Sequence, residues 1–171
     1  HPALKTVAIP GHREDQGAGI RHDEVADGAA VRGDALTASP GDTARMDPGI
    51  FWFRRDLRLG DNPALERALR SHGRLLLLHV DEGGRGSYDA SRAWLRRSLA
   101  ALGADIERRG GRLHLLAGDA ETLLPIAAAA CGASAVHVSA LHEPGADARD
   151  ARIAATLAGG GLALRRSGGR L

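Results

Sequence analysis

Residues 50–65, which read IFWFRRDLRLGDNPAL, decide the fold of this chain. The four large apolar residues at 50–53 are typical of a short strand that is covered on both faces. An arginine-rich turn follows, and then Asp61 or Asn62 can cap a helix whose first turn holds Pro63, where a missing N–H is tolerated. A strand, a charged loop and a capped helix form the opening unit of an open α/β sheet. Such sheets bind ligands at the carboxyl ends of their strands.

Four more apolar runs follow, and they alternate with segments of helical periodicity. The further predicted strands are 74–80, 112–116, 133–140 and 162–164, and the predicted helices are 63–72, 91–109, 119–130 and 147–157. The helix at 91–109 carries a leucine-rich stripe along one face, and Trp94 is expected in the core or at its rim. Five short strands that alternate with helices predict an α/β fold with a parallel sheet and right-handed crossovers.

Residues 1–45 are predicted to be a disordered extension, and residues 46–171 a single domain. The extension has no aromatic residue and no sustained period of 2 or 3.6, so it cannot bury enough apolar surface to offset its ordering entropy. We therefore expect it to be dispensable for stability. Met46, the only methionine, is expected to be the native start.

Bulk composition narrows the class of protein. A single cysteine excludes a disulfide framework, and no apolar run reaches the length of a membrane span, so a cytoplasmic protein without a membrane partner is expected. Residues 1–45 carry five Lys/Arg and seven Asp/Glu, whereas residues 46–171 carry 18 and 14. The positive side chains of residues 46–171 are all arginines, and this mild basic excess does not establish nucleic-acid binding.

The motif WFRRDLR at 52–58, followed by DNPAL at 61–65, resembles the opening signature of the DNA photolyase and cryptochrome family. The resemblance continues through SRAWL at 91–95, SL at 98–99, HEP at 142–144 and ARD at 148–150. It covers roughly residues 46–171, which in that family form only the N-terminal α/β domain. It implies a Rossmann-like, doubly wound sheet of five parallel strands in the order 3-2-1-4-5. The switch point then lies between the first and fourth strands.

The resemblance implies a light-harvesting role for this domain. In the family, an antenna chromophore absorbs light and passes the energy to FAD, which donates an electron to a pyrimidine dimer. The FAD-binding helical domain, through which damaged DNA is contacted, lies outside this chain. We therefore expect this chain alone to bind no FAD and to lack the lyase activity of the family, and we predict no catalytic residue in it.

Two alternatives to the antenna role stay open. One is a non-enzymatic remnant or interaction module that binds no chromophore. The other is a generic nucleotide-binding α/β protein, which is disfavoured because the loop after the first strand lacks the G-x-G-x-x-G pattern.

Four residues are predicted to bind the cofactor: Arg54, Arg58, Asp61 and Glu143. The first three lie in the loop after the first strand, where they could pair with one another or hold an anionic ligand. Glu143 lies in the loop after the fourth strand, and the resemblance places it where folate-using members have a glutamate against the pterin. The alternatives are a structural ion-pair network in the first loop and a salt bridge from Glu143 to Arg54 or Arg58.

An 8-hydroxy-deazaflavin or flavin antenna is predicted in preference to methenyltetrahydrofolate. In this family folate lies in the cleft between the two domains, whereas a deazaflavin lies deeper within the α/β domain. The run LHEPG at 141–145 lacks the Tyr and Trp that many members have around this glutamate, which removes stacking surface from any antenna pocket. His79 and His137 are predicted to be core histidines. His142 has no partner at metal spacing, so no metal site is predicted.

Overall fold

The computed structural model describes residues 31–32, 47–83 and 89–168. Five parallel strands alternate there with four helices, and their bounds agree with the predicted ones to within three residues. The strands are β1 (Gly49–Phe53), β2 (Arg74–Asp81), β3 (Leu113–Ala117), β4 (Ala135–Ser139) and β5 (Ala163–Ser167). The helices are α1 (Pro63–Ser71), α2 (Asp89–Glu107), α3 (Ala120–Cys131) and α4 (Ala146–Gly159).

The five strands lie in the order β3-β2-β1-β4-β5, and every neighbouring pair is parallel. The predicted α/β class and the predicted order 3-2-1-4-5 are therefore confirmed. β1 is central, because Phe51 pairs with Leu77 of β2 on one side and with His137 of β4 on the other. The direction of winding reverses between β1 and β4, which places the switch point at the carboxyl ends of these two strands.

The extension predicted at residues 1–45 lies outside the described residues, apart from Val31–Arg32. These two residues pair antiparallel with Leu75 and Arg74 at the beginning of β2. β3 pairs with the last residues of the same β2 edge, from Leu77 onward. Val31–Arg32 therefore lengthens the outer edge of the sheet by two residues, and the dispensability of the extension stays a prediction.

The side chains of β1 alternate between the two faces of the sheet, and both faces are buried. Ile50 and Trp52 pack in a cluster with residues of α3 and α4. Phe51 and Phe53 pack with α1 and α2 on the opposite face, and their rings meet edge to face with centroids 4.7 Å apart. The continuous apolar run at 50–53 thus serves two separate cores, as a doubly wound sheet requires.

Trp94 lies outside both cores. Its surface is 66% exposed, so the prediction of a core or rim position is wrong. Leu99, Leu102 and Ile106 form the inward face of α2. Leu95 continues the stripe of these residues toward the start of the helix. Trp94 is one residue before Leu95, so its side chain points about 100° away from the stripe around the helix axis.

Asn62 caps α1, and Asp61 does not. The Asn62 Oδ1 accepts a hydrogen bond from the Leu65 N–H at 3.1 Å, and its Nδ2 donates to the Arg58 carbonyl at 3.1 Å. Asp61 instead adopts a φ of 49°, in the left-handed region that short polar side chains tolerate. Because Asn62 is completely buried, it fixes the arginine-rich loop to the start of the helix.

A buried ion pair joins the end of β1 to α4 beside the switch point. Nη1 of Arg54, the residue after β1, lies 2.6 Å from Oδ1 of Asp150 in α4, and Nη2 lies 3.3 Å from Oδ2. The same Nη2 donates to the Ser139 carbonyl at the end of β4. Asp150 is 1% exposed and lies 2.9 Å from Nε of Arg166 in β5. This network ties β1, β4, α4 and β5 together.

The start of β1 lies very close to the end of α1. A Cβ atom placed on Gly49 would lie 2.5 Å from Cδ2 and 2.6 Å from Cγ of His72. His72 caps the carboxyl end of α1 and is buried. Only glycine fits at position 49 without displacing the imidazole ring.

We expect Gly49→Ala to lower the free energy of unfolding by about 1–3 kcal/mol, because the added methyl group forces His72 out of its position. Urea denaturation of the purified protein measures this loss. Gly103→Ala in α2 is the matched control, since a Cβ there meets no atom within 4 Å. That control should be neutral or should stabilise by up to about 1 kcal/mol. Equal losses in the two variants would contradict the close contact at Gly49.

Asp150→Asn should lower the free energy of unfolding by about 3–5 kcal/mol, because the buried Arg54 cation loses its counter-charge. Glu143→Gln is the control, since it breaks an ion pair with Arg55 in which the side chains are 41% and 74% exposed. The control should cost no more than about 1 kcal/mol, as exposed ion pairs generally do. A loss in Asp150→Asn no larger than that of Glu143→Gln would show that the buried pair does not brace the sheet.

Candidate functional site

The loops after β1 and β4 meet at the switch point, as predicted from the sequence. Nη1 of Arg55 lies 2.9 Å from Oε1 of Glu143, and the Ser139 hydroxyl donates to Asp56 over 3.4 Å. These two contacts connect residues 54–62 with residues 139–145. They define a surface at the carboxyl edge of the sheet where a ligand could contact both loops.

The loop after β1 also carries ion pairs of its own. Nε of Arg58 lies 2.8 Å from Oδ1 of Asp56, and Nη1 lies 3.9 Å from Oδ2 of Asp61. The Arg58 side chain is 53% exposed and that of Asp61 is 95% exposed. Arg58 can therefore leave these partners at low cost, since exposed ion pairs contribute little.

The four predicted cofactor-binding residues occupy different environments. Arg54 is buried in the Asp150 pair, which is a structural position. Arg58 and Asp61 lie together on the exposed surface of the first loop. Glu143 faces that loop, but it pairs with Arg55 and with neither Arg54 nor Arg58, so the alternative pairing considered for it is wrong.

A second group of charged residues adjoins the site, and sequence reasoning missed it. The Cζ atoms of Arg54 and Arg149 lie 5.2 and 5.6 Å from the ring centroid of Trp52, within the range of cation–π contacts. Arg149 pairs with Glu82, whose Oε1 accepts a hydrogen bond from the Ala120 N–H at 3.2 Å. The sequence motif ARD at 148–150, which is part of the family resemblance, includes Arg149. Nothing in the sequence, however, indicates that Arg149 lies next to Trp52.

Two buried donors at this site have no partner among the described residues. They are Nε1 of Trp52 and Nε of Arg54. A buried N–H without an acceptor costs free energy, so each could gain a hydrogen bond from an acceptor that reaches it. Both donors belong to residues at the carboxyl end of β1.

The amino-terminal end of α4 points at the same edge of the sheet. Its first residue follows Gly145, which has a φ of 81° and provides no side-chain cap. The Ala146 N–H donates to the Glu143 carbonyl, and the helix dipole together with N–H groups that lack a side-chain cap gives this end a partial positive charge. Together with the arginines of the first loop, it makes the surface suited to a carboxylate or phosphate group.

His79 is buried at the carboxyl end of β2, as predicted. Its Nδ1 lies 3.0 Å from the Phe53 carbonyl oxygen, so Nδ1 carries the hydrogen and Nε2 the lone pair. Burial lowers the pKa of His79, against smaller opposing contributions from the Phe53 carbonyl, Asp81 and Glu82. The ring is therefore a neutral imidazole of defined tautomer.

An apolar groove of about 170 Å³ lies on the other side of the loop after β1, between α1 and α2. It is lined by Leu59, Gly60, Leu65, Leu69, Leu77, Ile106 and Arg109. Ligand pockets usually measure about 300–1,000 Å³, so this groove is smaller than a site for a deazaflavin or a folate. It does not coincide with the predicted position between the loops after β1 and β4.

Residues 31–32, 47–83 and 89–168 contain no cluster of three or more His, Cys, Asp or Glu side chains that could hold a metal ion. Within the same described part of the chain, none of the helices combines the length and the apolar character needed to cross a membrane.

The family model for DNA photolyase matches residues 49–171. The deoxyribodipyrimidine photo-lyase of Agrobacterium fabrum is 38% identical over 125 residues, which represent 72% of this chain and 26% of that protein. The match at the level of sequence therefore covers nearly the whole domain predicted at 46–171.

Two solved structures share the same sheet. The bacterial class III photolyase from Agrobacterium tumefaciens superposes with a TM-score of 0.68 at 36% identity, over 77% of this chain and 27% of that one. The archaeal photolyase from Sulfolobus tokodaii, solved with two FAD molecules and discussed for a novel light-harvesting cofactor, gives 0.64 at 25% identity, over 71% and 29%. This chain thus spans between 26% and 29% of these three proteins. It belongs to the DNA photolyase family, and its described residues form the N-terminal α/β domain of that family.

Proposed function

We propose that this domain binds an antenna chromophore at the switch point and serves as the light-harvesting part of a deoxyribodipyrimidine photo-lyase-like DNA-repair flavoprotein. The observation that carries the proposal is the meeting of the loops after β1 and β4, where Arg55 and Glu143 lie 2.9 Å apart. In open α/β sheets this is the position at which ligands bind. The S. tokodaii relative, for which a light-harvesting cofactor is discussed, supports the proposal.

The charged side chains at this surface differ in how freely they can bind a ligand. Arg58 and Glu143 are 53% and 41% exposed, so a ligand can replace their present partners without exposing a buried charge. Asp61 is still more exposed and would act through Arg58 or through a hydroxyl group of the ligand. Arg54 keeps its ion pair with Asp150, and its Nε is a nitrogen that has no hydrogen-bond partner among the described residues.

An 8-hydroxy-deazaflavin or a flavin suits this surface better than methenyltetrahydrofolate. Its ribityl or phosphate tail would meet the arginines of the first loop and the uncapped end of α4. Leu141, which is half-buried beside Glu143, would give apolar cover to the ring system. A folate would need the wall that the helical domain provides in this family, and that domain is not part of the described structure.

Titration of the purified protein with 8-hydroxy-deazaflavin, a flavin and methenyltetrahydrofolate, followed by fluorescence, tests this proposal. We expect a deazaflavin or flavin to bind more tightly than the folate. Arg58→Ala and Glu143→Ala should each weaken binding about tenfold or more, because each removes a charge-assisted hydrogen bond. Arg70→Ala is the control, since Arg70 in the last turn of α1 makes a similarly exposed ion pair with Glu66 of the first turn.

The outcomes separate the parts of the proposal. Unchanged affinity in both Arg58→Ala and Glu143→Ala would place the chromophore elsewhere. Tighter binding of the folate would overturn the preference for a deazaflavin or flavin while leaving the switch-point site in place.

The FAD and the damaged DNA of the family are proposed to bind a separate helical domain. We expect this chain alone to purify without stoichiometric FAD and to show no light-driven repair of pyrimidine dimers. Absorption spectra and a repair assay measure both quantities, with the full-length A. fabrum photo-lyase as positive control. Stoichiometric FAD together with repair by this chain would contradict the assignment of catalysis to the other domain.

The competing function is an interaction module that binds no chromophore. It is favoured by the ion pairs that already occupy Arg55, Arg58 and Glu143, and by the small volume of the groove between α1 and α2. The absorption spectrum of the protein purified from its native host decides between the two. Absorption at wavelengths longer than those at which tryptophan absorbs supports the antenna function. Absence of such absorption in the protein from its native host supports the interaction module.

A further inference from the structure

Two buried histidines contact each other on the face of the sheet that α1 covers. His72 follows α1 and is 6% exposed, and His137 lies in β4 and is 2% exposed. Their Nε2 atoms are 2.9 Å apart, and their rings meet edge to face with centroids at 5.0 Å. The contact lies near the start of β1, so it is separate from the switch point.

The neighbouring atoms define where the hydrogens of this pair reside. Nδ1 of His72 lies 2.9 Å from the Asp47 carbonyl oxygen, which only accepts, so Nδ1 carries the hydrogen. Nε2 of His72 is then an acceptor, and Nε2 of His137 must donate to it. This leaves Nδ1 of His137 as a buried lone pair with no partner among the described residues. Both rings are neutral in this arrangement.

Protonation of either histidine at its free nitrogen would be unfavourable in this arrangement. A proton on Nδ1 of His137 would create a buried cation without an acceptor. A proton on Nε2 of His72 would set two donors 2.9 Å apart, unless His137 changed tautomer and buried an unpaired N–H. His72 also has little room to turn, since Gly49 lies directly against its ring.

The charges around the pair act in the same direction. Burial, then His72, then Arg165 of β5 lower the pKa of His137 from 6.5 to about 4. Asp47 contributes its backbone carbonyl to His72, and no carboxylate among the described residues forms an ion pair with either ring. Burial and the Arg165 cation, with no anion in the described part of the chain paired to either ring, therefore oppose protonation of His137.

We propose that the His72–His137 hydrogen bond is an acid-sensitive clamp, which holds the chain entering β1 against α1 and β4 and is released by protonation. The clamp connects three separate segments, through the Asp47 carbonyl, the end of α1 and the middle of β4. The clamp does not depend on a bound chromophore, because it lies in a different part of the sheet from the switch point.

The direction of the pH effect follows from the neutral folded state. An unfolded His137 takes up a proton near pH 6.5, whereas the folded one resists until about pH 4. The stabilisation is therefore complete above pH 6.5 and is lost progressively as the pH falls from 6.5 toward 4. At pH 5 one such histidine raises the ratio of unfolded to folded protein about thirtyfold.

Nitrogen-15 spectra of the imidazole rings test the proton arrangement directly. At pH 7.5 we expect the Nδ1–H form for His72 and the Nε2–H form for His137, and no charged form of His137 at pH 5.5. A His137 ring that titrates near pH 6.5 in the folded protein would overturn the proposal.

Urea unfolding at pH 7.5 and pH 5 tests the energetic consequence. Between these two pH values the unfolding constant of the wild type should rise about thirtyfold more than that of His137→Gln, which cannot titrate at this position. His142→Gln makes the same change at an exposed loop position and should keep the wild-type pH dependence. Equal pH dependence of the wild type and His137→Gln would contradict the clamp. If His137→Gln does not fold, the ring spectra of the wild type decide alone.

Amide hydrogen exchange tests the release itself. After correction for intrinsic rates, the amides of residues 49–50 should lose protection between pH 7.5 and pH 5, relative to those of residues 77–78 in the middle of β2. Unchanged relative protection in the wild type would show that protonation does not open the start of β1.

Discussion

The ion pair between Arg54 and Asp150 is the interaction on which the arrangement of the switch point depends. A parallel sheet that reverses its winding leaves a crevice between the two diverging connections, here the loops after β1 and β4. Arg54 crosses this crevice below the surface, with its guanidinium shared between Asp150 and the Ser139 carbonyl. Because both charges are buried, loss of either partner leaves an uncompensated charge, which is far more costly than loss of a surface pair. The pair therefore determines how β1 and α4 sit relative to each other.

The same edge of the sheet carries ion pairs of two kinds, and the difference bears on function. The pairs of Arg54 and Asp150 are buried and hold the framework. The pair between Arg55 and Glu143 is exposed and can be exchanged for contacts with a ligand at small cost. Exchangeable charges on a rigid base fit the proposed binding of a chromophore, which would have to be held in a defined orientation.

Much of the fold could be predicted from local patterns, and the partners of particular side chains could not. The residues at 50–53 indicated a strand buried on both sides, and Asp61 or Asn62 stood at a capping position before Pro63. Both predictions follow from neighbours in sequence. Arg54 and Asp150 are 96 residues apart, and nothing local couples them. Likewise, the strand order predicted that the loops after β1 and β4 meet. The pairing of Glu143 with Arg55 in these loops could not be predicted, because it depends on side-chain geometry. Trp94 was predicted in the core or at its rim, but its angular position on α2 turns it outward.

By itself the sequence determined the alternation of strands and helices, the start of α1 near Pro63 and, through the motif at 52–58, the family and its strand order. These features depend on hydrophobic periodicity, turn chemistry and a long specific motif, all of which are readable along the chain. Only the tertiary structure decided which charges are buried, which remain exchangeable, and that His72 and His137 share one hydrogen bond beside Gly49. Those properties arise when residues distant in sequence are brought together at a few ångströms, where desolvation and direct contact decide the protonation and the partner of each group.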